Sequence, residues 1–203
     1  MVLDIFLKTL NSVWPMIAIF LCVVISTRVA YLLSGHHKIV IYKEVCSLIF
    51  IIYMLLLFEL LTATEVNSYH GMNLTPFAEI SRYQFLSRQF NINVFGNIFI
   101  FVPFGLFISS YLKTKKGIQV FLVSLFTSIT VELVQLKIGR SFDIDDILLN
   151  VCGALIGYLI YVCLKKLKSK MPGFLKSDAF YNVFSIIVFA VLVYWLASRI
   201  GII

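Results

Sequence analysis

One stretch of the sequence, residues 128–157, combines long apolar runs with side chains that could do chemistry. Its polar residues include Glu132, Gln135, Arg140, Asp143, Asp145, Asp146 and Asn150. Ionisable groups are expensive to keep in apolar surroundings, and there they mark functional sites by default. Two kinds of chemistry fit this set: binding of a polar ligand, or acid–base catalysis assisted by a cation.

Arg140 lies beside three aspartates in the turn that separates two apolar segments. Its guanidinium group could hold an anionic or carbonyl group of a ligand while Asp145 and Asp146 stay ionised near water. In the catalytic version, Glu132 is a base, Arg140 clamps an anion, and the two adjacent aspartates bind a divalent cation. An Arg–Asp pair can also be purely structural, and Asp143 or Ser141 could simply cap the second of the two helices.

Helical spacing places these residues on two stripes. The stripes are Ser128, Glu132 and Gln135 in the first segment, and Asp146, Asn150, Gly153 and Gly157 in the second. The connection between the segments is short, so the two helices must be antiparallel neighbours. Glu132 and Asn150 then both lie roughly 7 Å below the turn, which allows direct contact between them. The GxxxG step of Gly153 and Gly157 predicts the close approach of another backbone.

Polar side chains outside this stretch could complete a cavity. Asn93 and Asn97 lie one turn apart in another apolar segment, where asparagine more often ties helices together than binds a ligand. Asn73 could close the cavity from the preceding loop. His70 could be a base or ligand, but a lone loop histidine is more often solvated, and Glu59 either belongs to the cavity or sits at the membrane interface. The predicted ligand-binding set is Asn73, Asn93, Asn97, Ser128, Glu132, Gln135, Arg140, Asp143, Asp146 and Asn150.

The composition places these residues in a membrane protein. Of the 203 residues, 61% are hydrophobic and 15% are aromatic, and the mean hydropathy is +0.98. A soluble protein of this size could not cover so much apolar surface, whereas a lipid-facing exterior needs no cover. The net charge of +7 comes mainly from short loops, as the positive-inside rule expects, so no nucleic-acid partner is predicted.

Six apolar runs are long enough, or nearly so, to cross a bilayer as helices of roughly 20 residues. They are residues 13–33, 45–63, 94–112, 118–136, 147–164 and 180–196. We therefore predict an all-α, polytopic integral membrane bundle of about six transmembrane helices, with a long outer loop between the second and third. Part of this loop, which covers 64–93, is expected to lie on the membrane surface as an amphipathic segment. The predicted divisions are an N-terminal helix with an inner loop (1–44), a core (45–164), and a basic linker with a C-terminal helix (165–203).

The distribution of basic residues predicts the orientation. Ten lie on one side: Lys38, Lys43, Lys113, Lys115, Lys116, Lys165, Lys166, Lys168, Lys170 and Lys176. Six lie on the other: Lys8, Arg82, Arg88, Lys137, Arg140 and Arg199. Arg28, inside the first span, is expected to reach toward the ten. Both termini and the acidic cavity should therefore be extracytoplasmic.

The four cysteines, Cys22, Cys46, Cys152 and Cys163, all lie within predicted spans. Their spacing matches neither a CxxC motif nor a metal finger, so we expect buried, structural thiols. No metal site and no cofactor are predicted, except that the enzyme hypothesis would use Mg²⁺ together with a substrate phosphate.

The arrangement resembles the VanZ-like family of bacterial membrane proteins over roughly residues 45–164. The residues that carry the resemblance are Asn73, Pro76, Asn93, Asn97, Pro103, Gly105, Glu132, Gln135, Arg140, Asp143, Asp145, Asp146, Asn150 and Gly153. The resemblance implies a multi-pass protein of the bacterial cell membrane that decreases susceptibility to glycopeptide antibiotics, in particular teicoplanin and related lipoglycopeptides. It implies a phenotype more readily than a mechanism.

Three functions compete. The first is a protein that binds or shields a lipid-linked envelope component, or the antibiotic itself, in an outward polar cavity among membrane lipids. The second is an integral-membrane hydrolase or transferase acting on a polyprenyl- or lipid-linked phosphate, with Glu132, Arg140, Asp145 and Asp146 as catalytic candidates. Against catalysis, no Ser-His-Asp, HExxH or P-loop signature is present. A transporter ranks last, because the charged residues cluster near one membrane face.

Overall fold

A computed structural model describes residues 2–35, 40–62, 71–114 and 116–200 of the chain. The helices are α1 (Val2–Leu33), α2 (Ile41–Thr62), α3 (Ala78–Arg82), α4 (Arg88–Phe90), α5 (Gly96–Leu112), α6 (Gly117–Lys137), α7 (Ile144–Lys170) and α8 (Asp178–Ile200). A π-helical segment, Asn91–Phe95, joins α4 to α5, and a 3₁₀ turn, Gly173–Lys176, precedes α8. Two short strands, β1 (Met72–Asn73) and β2 (Phe142–Asp143), complete the described elements.

Five described helices are long and apolar enough to cross a membrane. They cover Trp14–Tyr31, Ile41–Leu61, Arg88–Leu112, Gly117–Lys137 and Ile144–Lys170. The predicted all-α, polytopic membrane fold is therefore confirmed. The sixth predicted run also forms a helix, but its described apolar part, Asp178–Val188, is shorter, so a sixth span stays a prediction.

The third and fifth spans are longer than the apolar runs predicted. The third span starts at Arg88 rather than at residue 94. The Ser87 side chain accepts a hydrogen bond from the Phe90 N–H at 3.1 Å and caps the first turn. The fifth span continues through the lysines to Lys170, since long lysine side chains carry their charge away from apolar surroundings. The 27 residues of α7 extend over about 40 Å, which exceeds the hydrocarbon core of a bilayer.

The chain divides into two compact units. The first comprises Met1–Leu56 with Lys168–Ile203, and the second comprises Leu57–Leu167. Within the first unit, Arg28 has a partner in the first turn of α2, next to the 34–44 loop toward which it was expected to reach. Its guanidinium forms two hydrogen bonds with the Glu44 carboxylate, at 2.8 and 2.6 Å, and so joins α1 to α2.

Close packing of α5 against α7 organises the second unit. A Cβ at Gly157 would overlap with the Val102 carbonyl oxygen and lie 2.7 Å from the Leu106 nitrogen. Gly105 of α5 is equally close to the backbone of Ala154 on α7. The GxxxG step therefore permits the backbone approach that its spacing predicts, and the partner is α5.

The prediction of buried cysteines is wrong. All four, Cys22, Cys46, Cys152 and Cys163, have exposed side chains. A thiol behaves as a small hydrophobic group. Facing lipid therefore satisfies it as well as burial between helices does.

Candidate functional site

Two short strands bring the 71–90 segment onto the turn between α6 and α7. β1 and β2 run parallel and pair Met72 with Phe142 and Asn73 with Asp143. The turn itself depends on Gly139, whose φ of 95° lies in the left-handed region that favours glycine. The described part of the predicted loop, residues 71–93, is therefore ordered, and Asn73 lies where it can close a cavity at this end of the spans.

Asp143 connects three elements at this junction. Its carboxylate accepts the Asp145 N–H at 2.8 Å and so caps α7, as predicted. The Asn73 amide donates to both carboxylate oxygens at 3.2 and 3.3 Å, and the Asp143 N–H donates to the Glu132 carboxylate at 2.9 Å. Burial raises the pKa of the Asp143 carboxyl, while the bonds from Asp145 and Asn73 act to lower it.

Asp145 holds the start of α3. Its carboxylate accepts hydrogen bonds from the backbone N–H groups of Phe77, Glu79 and Ile80 at 2.5, 2.9 and 3.1 Å, and the residue is 1% exposed. Phe77 has a left-handed backbone with φ of 65°, which is costly for a bulky residue. Asp145 therefore fixes a strained turn.

Asp146, the next residue, faces a pocket. Its Oδ1 atom accepts a hydrogen bond of 2.5 Å from the Asn97 amide of α5. Neighbouring helix positions point about 100° apart, which explains why the two adjacent aspartates enter different environments. The pair that sequence reasoning assigned to one cation is thus divided.

Arg140 and Gln135 both bind the end of α2. The Gln135 amide donates to the Leu61 carbonyl at 2.9 Å, and Arg140 Nη1 donates to the same oxygen at 3.3 Å. No ion pair within 4.0 Å joins Arg140 to a carboxylate in the part of the chain that the structure describes. Among the described residues, the Leu61 carbonyl is thus the one hydrogen-bond partner of its guanidinium group.

Asn150 and Ser128 form a buried pair below the turn. The Asn150 amide donates to Ser128 Oγ at 2.9 Å, and Asn150 is 2% exposed. The direct contact that the spacing allows between Asn150 and Glu132 is not a hydrogen bond, because Asn150 pairs with Ser128, one turn from Glu132. The Asn150 Oδ1 atom is buried and has no hydrogen-bond partner among the described residues.

These side chains surround a pocket of about 700 Å³ at the end of the second unit's spans. Its lining includes Asn73, Glu79, Arg82, Tyr83, Asn93, Asn97, Glu132, Gln135, Arg140, Ser141, Asp143, Asp146 and Asn150, with apolar side chains such as Leu60 and Ile100. Nine of the ten predicted ligand-binding residues, including Asn93, line this pocket. Ser128 lies behind Asn150, and Asp145 faces α3.

Sequence reasoning missed one side of the pocket, which α3 provides. Glu79 forms an ion pair with Arg82 at 2.8 Å and accepts a hydrogen bond from the Tyr83 hydroxyl at 2.7 Å. Burial, followed by the bond to Glu79, raises the pKa of Tyr83 to about 12. The i, i+3, i+4 spacing of these residues was the available signal.

Two further candidates from the sequence, Glu59 and His70, are not among the described residues that line the pocket. Glu59 of α2 is half-buried but does not line the pocket. His70 lies outside the described residues.

Comparison with known proteins shows which family the chain belongs to. A family model described as VanZ/LLP1 matches residues 45–167, which is more than half of the chain. The chain belongs to the VanZ/LLP1 family. The predicted resemblance is therefore confirmed, and every pocket-lining residue falls within the VanZ/LLP1 segment.

The chain is also similar to Protein VanZ of Enterococcus faecium. The two are 31% identical over 101 residues, which cover 48% of this chain and 57% of that protein. The match thus spans little more than half the length of this relative. No solved structure matches the chain.

Proposed function

We propose that this protein binds the polar head of a lipid-linked envelope component in the pocket, which opens to the outside of a bacterial cell. By holding or shielding that component it lowers susceptibility to teicoplanin and related lipoglycopeptides. The observation that carries the proposal is a polar pocket at the end of membrane spans, with Arg140 free of a carboxylate partner among the described residues.

Arg140 supplies the recognition of ligand oxygen. A guanidinium has five N–H donors, and among the described residues only Nη1 is used, in a 3.3 Å bond to the Leu61 carbonyl. A carbonyl or anionic oxygen of a ligand would accept from the others. Such bonds are stronger than those between neutral groups, and stronger still where water is excluded.

The size of the pocket favours a head group over a whole antibiotic. A volume of about 700 Å³ is within the range of sites that enclose small ligands. A complete lipoglycopeptide is larger than such ligands, so only part of it could enter. An apolar tail could remain in the bilayer, beside the lipid-facing side chains of the spans.

The enzyme alternative loses part of its support. Hydrolysis or transfer at a lipid-linked phosphate could still use Glu132 and Arg140, but Asp145 is occupied by three backbone N–H groups. Incubation of the purified chain with labelled polyprenyl phosphates and Mg²⁺ tests this alternative. Turnover would replace the binding proposal with catalysis.

A susceptibility assay in a sensitive Gram-positive host tests the proposal. The full chain should raise the teicoplanin concentration that inhibits growth, and Arg140→Gln should return it to the level of the empty vector. Lys137→Gln is the matched control, because Lys137 is exposed at the end of α6 and does not line the pocket. Undiminished protection by Arg140→Gln, at equal membrane abundance, would contradict the proposal.

A further inference from the structure

The charges that line the pocket are unequal. Four carboxylates, from Glu79, Glu132, Asp143 and Asp146, face two guanidinium groups, from Arg82 and Arg140. Arg82 is paired with Glu79 at 2.8 Å. Among the described lining residues, the other three carboxylates are therefore balanced by one cation, Arg140. We call the part of the pocket that Glu132, Asp146 and Asn150 line the lower pocket, and two of these three residues are acidic.

The pocket also contains acceptors to which no described residue donates. Glu132 accepts the Asp143 N–H through Oε2, and Asp146 accepts from Asn97 through Oδ1. In the described part of the chain, no group donates to the second oxygen of either carboxylate. Asn150, 2% exposed, has its Oδ1 atom buried without a partner. Asp146 and Asn150 are one turn apart on α7, and both residues line the pocket.

An unpaired buried acceptor is costly, and this one is an independent sign that a donor from outside the protein completes the site. A ligand with N–H donors and a positive charge would satisfy the carboxylate oxygens and Asn150 together. A phosphate offers neither, and it would add negative charge beside three carboxylates. An ammonium group has three donors and a compact charge, which fits the three acceptors.

We propose that Glu132, Asp146 and Asn150, in the lower pocket, bind the primary ammonium group of an amphiphile. The inference rests on the proposed function and names the chemical class of its ligand. Arg140 contacts an oxygen elsewhere on the same head group. The ammonium belongs to a lipid head group or to a lipoglycopeptide, and both present the same donors.

Competition among three single-chain probes tests the head group. The purified full chain in detergent is mixed with equal amounts of dodecylamine, dodecyltrimethylammonium and dodecyl phosphate, and native mass spectrometry counts the adducts. The dodecylamine adduct should exceed each of the others by at least about tenfold, since charged hydrogen bonds are lost in the other two. Equal binding of both cations, or preference for the phosphate, would overturn the inference.

Variants test whether the preference for dodecylamine depends on the pocket. Asp146→Asn should remove most of this preference, and Asn150→Leu should reduce it. Asp178→Asn, at the start of α8, is the matched control and should show the wild-type preference. Circular dichroism and elution volume establish that each variant is folded. An unchanged preference in folded Asp146→Asn protein would also overturn the inference.

Displacement identifies the source of the ammonium group. Release of bound dodecylamine by lysophosphatidylethanolamine assigns a lipid head group, and release by teicoplanin alone assigns the antibiotic; both results support the inference. Phosphate preference combined with intact, Arg140-dependent teicoplanin protection would overturn the ammonium assignment and leave the proposed function standing.

Discussion

Asp145 and Asp146 are neighbours in the sequence, but their carboxylates have different hydrogen-bond partners. Asp145 is 1% exposed and accepts three backbone N–H groups from the start of α3. Asp146 accepts one side-chain bond, from Asn97, and otherwise faces the pocket. A carboxylate that satisfies several buried donors contributes to stability, whereas one that keeps a free oxygen at a cavity contributes to binding.

Asp145→Asn should therefore destabilise the protein by about 2 kcal/mol, because an amide donor would face backbone donors and leave one of them unpaired. The strained backbone of Phe77, with φ of 65°, would also lose its anchor. Thermal unfolding of the purified chain in detergent measures the change.

The comparison variant is Asp146→Asn, whose side chain can still accept from Asn97. It should unfold within a few degrees of the wild type. Equal unfolding temperatures for Asp145→Asn and the wild type would mean that Asp145 does not hold α3.

At this scale, sequence reasoning could find the polar residues but not their partners. Polar groups in apolar segments stand out by composition alone, which is why Glu132, Asn97 and Asn150 were predicted to lie in one site. The partners of Asp145 are up to 68 positions away, and no local pattern encodes them. The pairing of Asn150 with Ser128 depends on the relative height of α6 and α7, which helix spacing fixes only to about one turn.

The contact of α5 with α7 depends on glycines at the points of closest approach. Gly157→Ala would place a methyl group against the Val102 carbonyl oxygen and the backbone of Leu106. Backbone atoms cannot move aside as a flexible side chain can, so we expect a loss of about 1–3 kcal/mol. Thermal unfolding in detergent, followed by circular dichroism, measures it.

Gly96→Ala is the matched control on α5. A Cβ there meets nothing within 4 Å, and alanine is the better helix former. It should therefore leave the unfolding temperature unchanged or raise it slightly. If Gly157→Ala unfolds at the same temperature as Gly96→Ala, the backbone approach at Gly157 is not a source of stability.

The elements differ in how well the sequence predicts them. Long apolar runs predict spans, because each run must satisfy its own backbone hydrogen bonds in lipid. The two-residue strands β1 and β2 are too short for any periodic pattern, so their pairing depends on tertiary contacts alone. The π-helical segment Asn91–Phe95 also has no sequence signal of this kind, although such segments often occur at functional sites, and Asn93 here lines the pocket.

The proposed binding chemistry lies within one part of the molecule. All pocket-lining residues belong to the compact unit Leu57–Leu167, which also falls within the family match over 45–167. The described residues outside this unit contain the Arg28–Glu44 ion pair, and none of them lines the pocket.

Orientation is the property of the whole chain on which an outward pocket depends. Sixteen Lys and Arg residues outside the spans or near their ends divide ten to six, which predicts that the α6–α7 turn faces the outside. A cysteine-free background, with all four lipid-facing thiols replaced by alanine, allows single cysteines to report each side. Ser141→Cys at the pocket and Lys116→Cys at the α5–α6 turn are both exposed.

A membrane-impermeant maleimide added to intact cells should label Ser141→Cys and leave Lys116→Cys unlabelled until the cells are opened. The physical reason is that the positive-inside rule predicts a cytoplasmic position for the lysines near Lys116. The reverse labelling pattern would place Arg140 and the pocket in the cytoplasm. An extracellular antibiotic could then reach the pocket only after crossing the membrane, so the shielding function would have to be abandoned, whereas binding of an inner-leaflet amphiphile would remain consistent with the same pocket geometry.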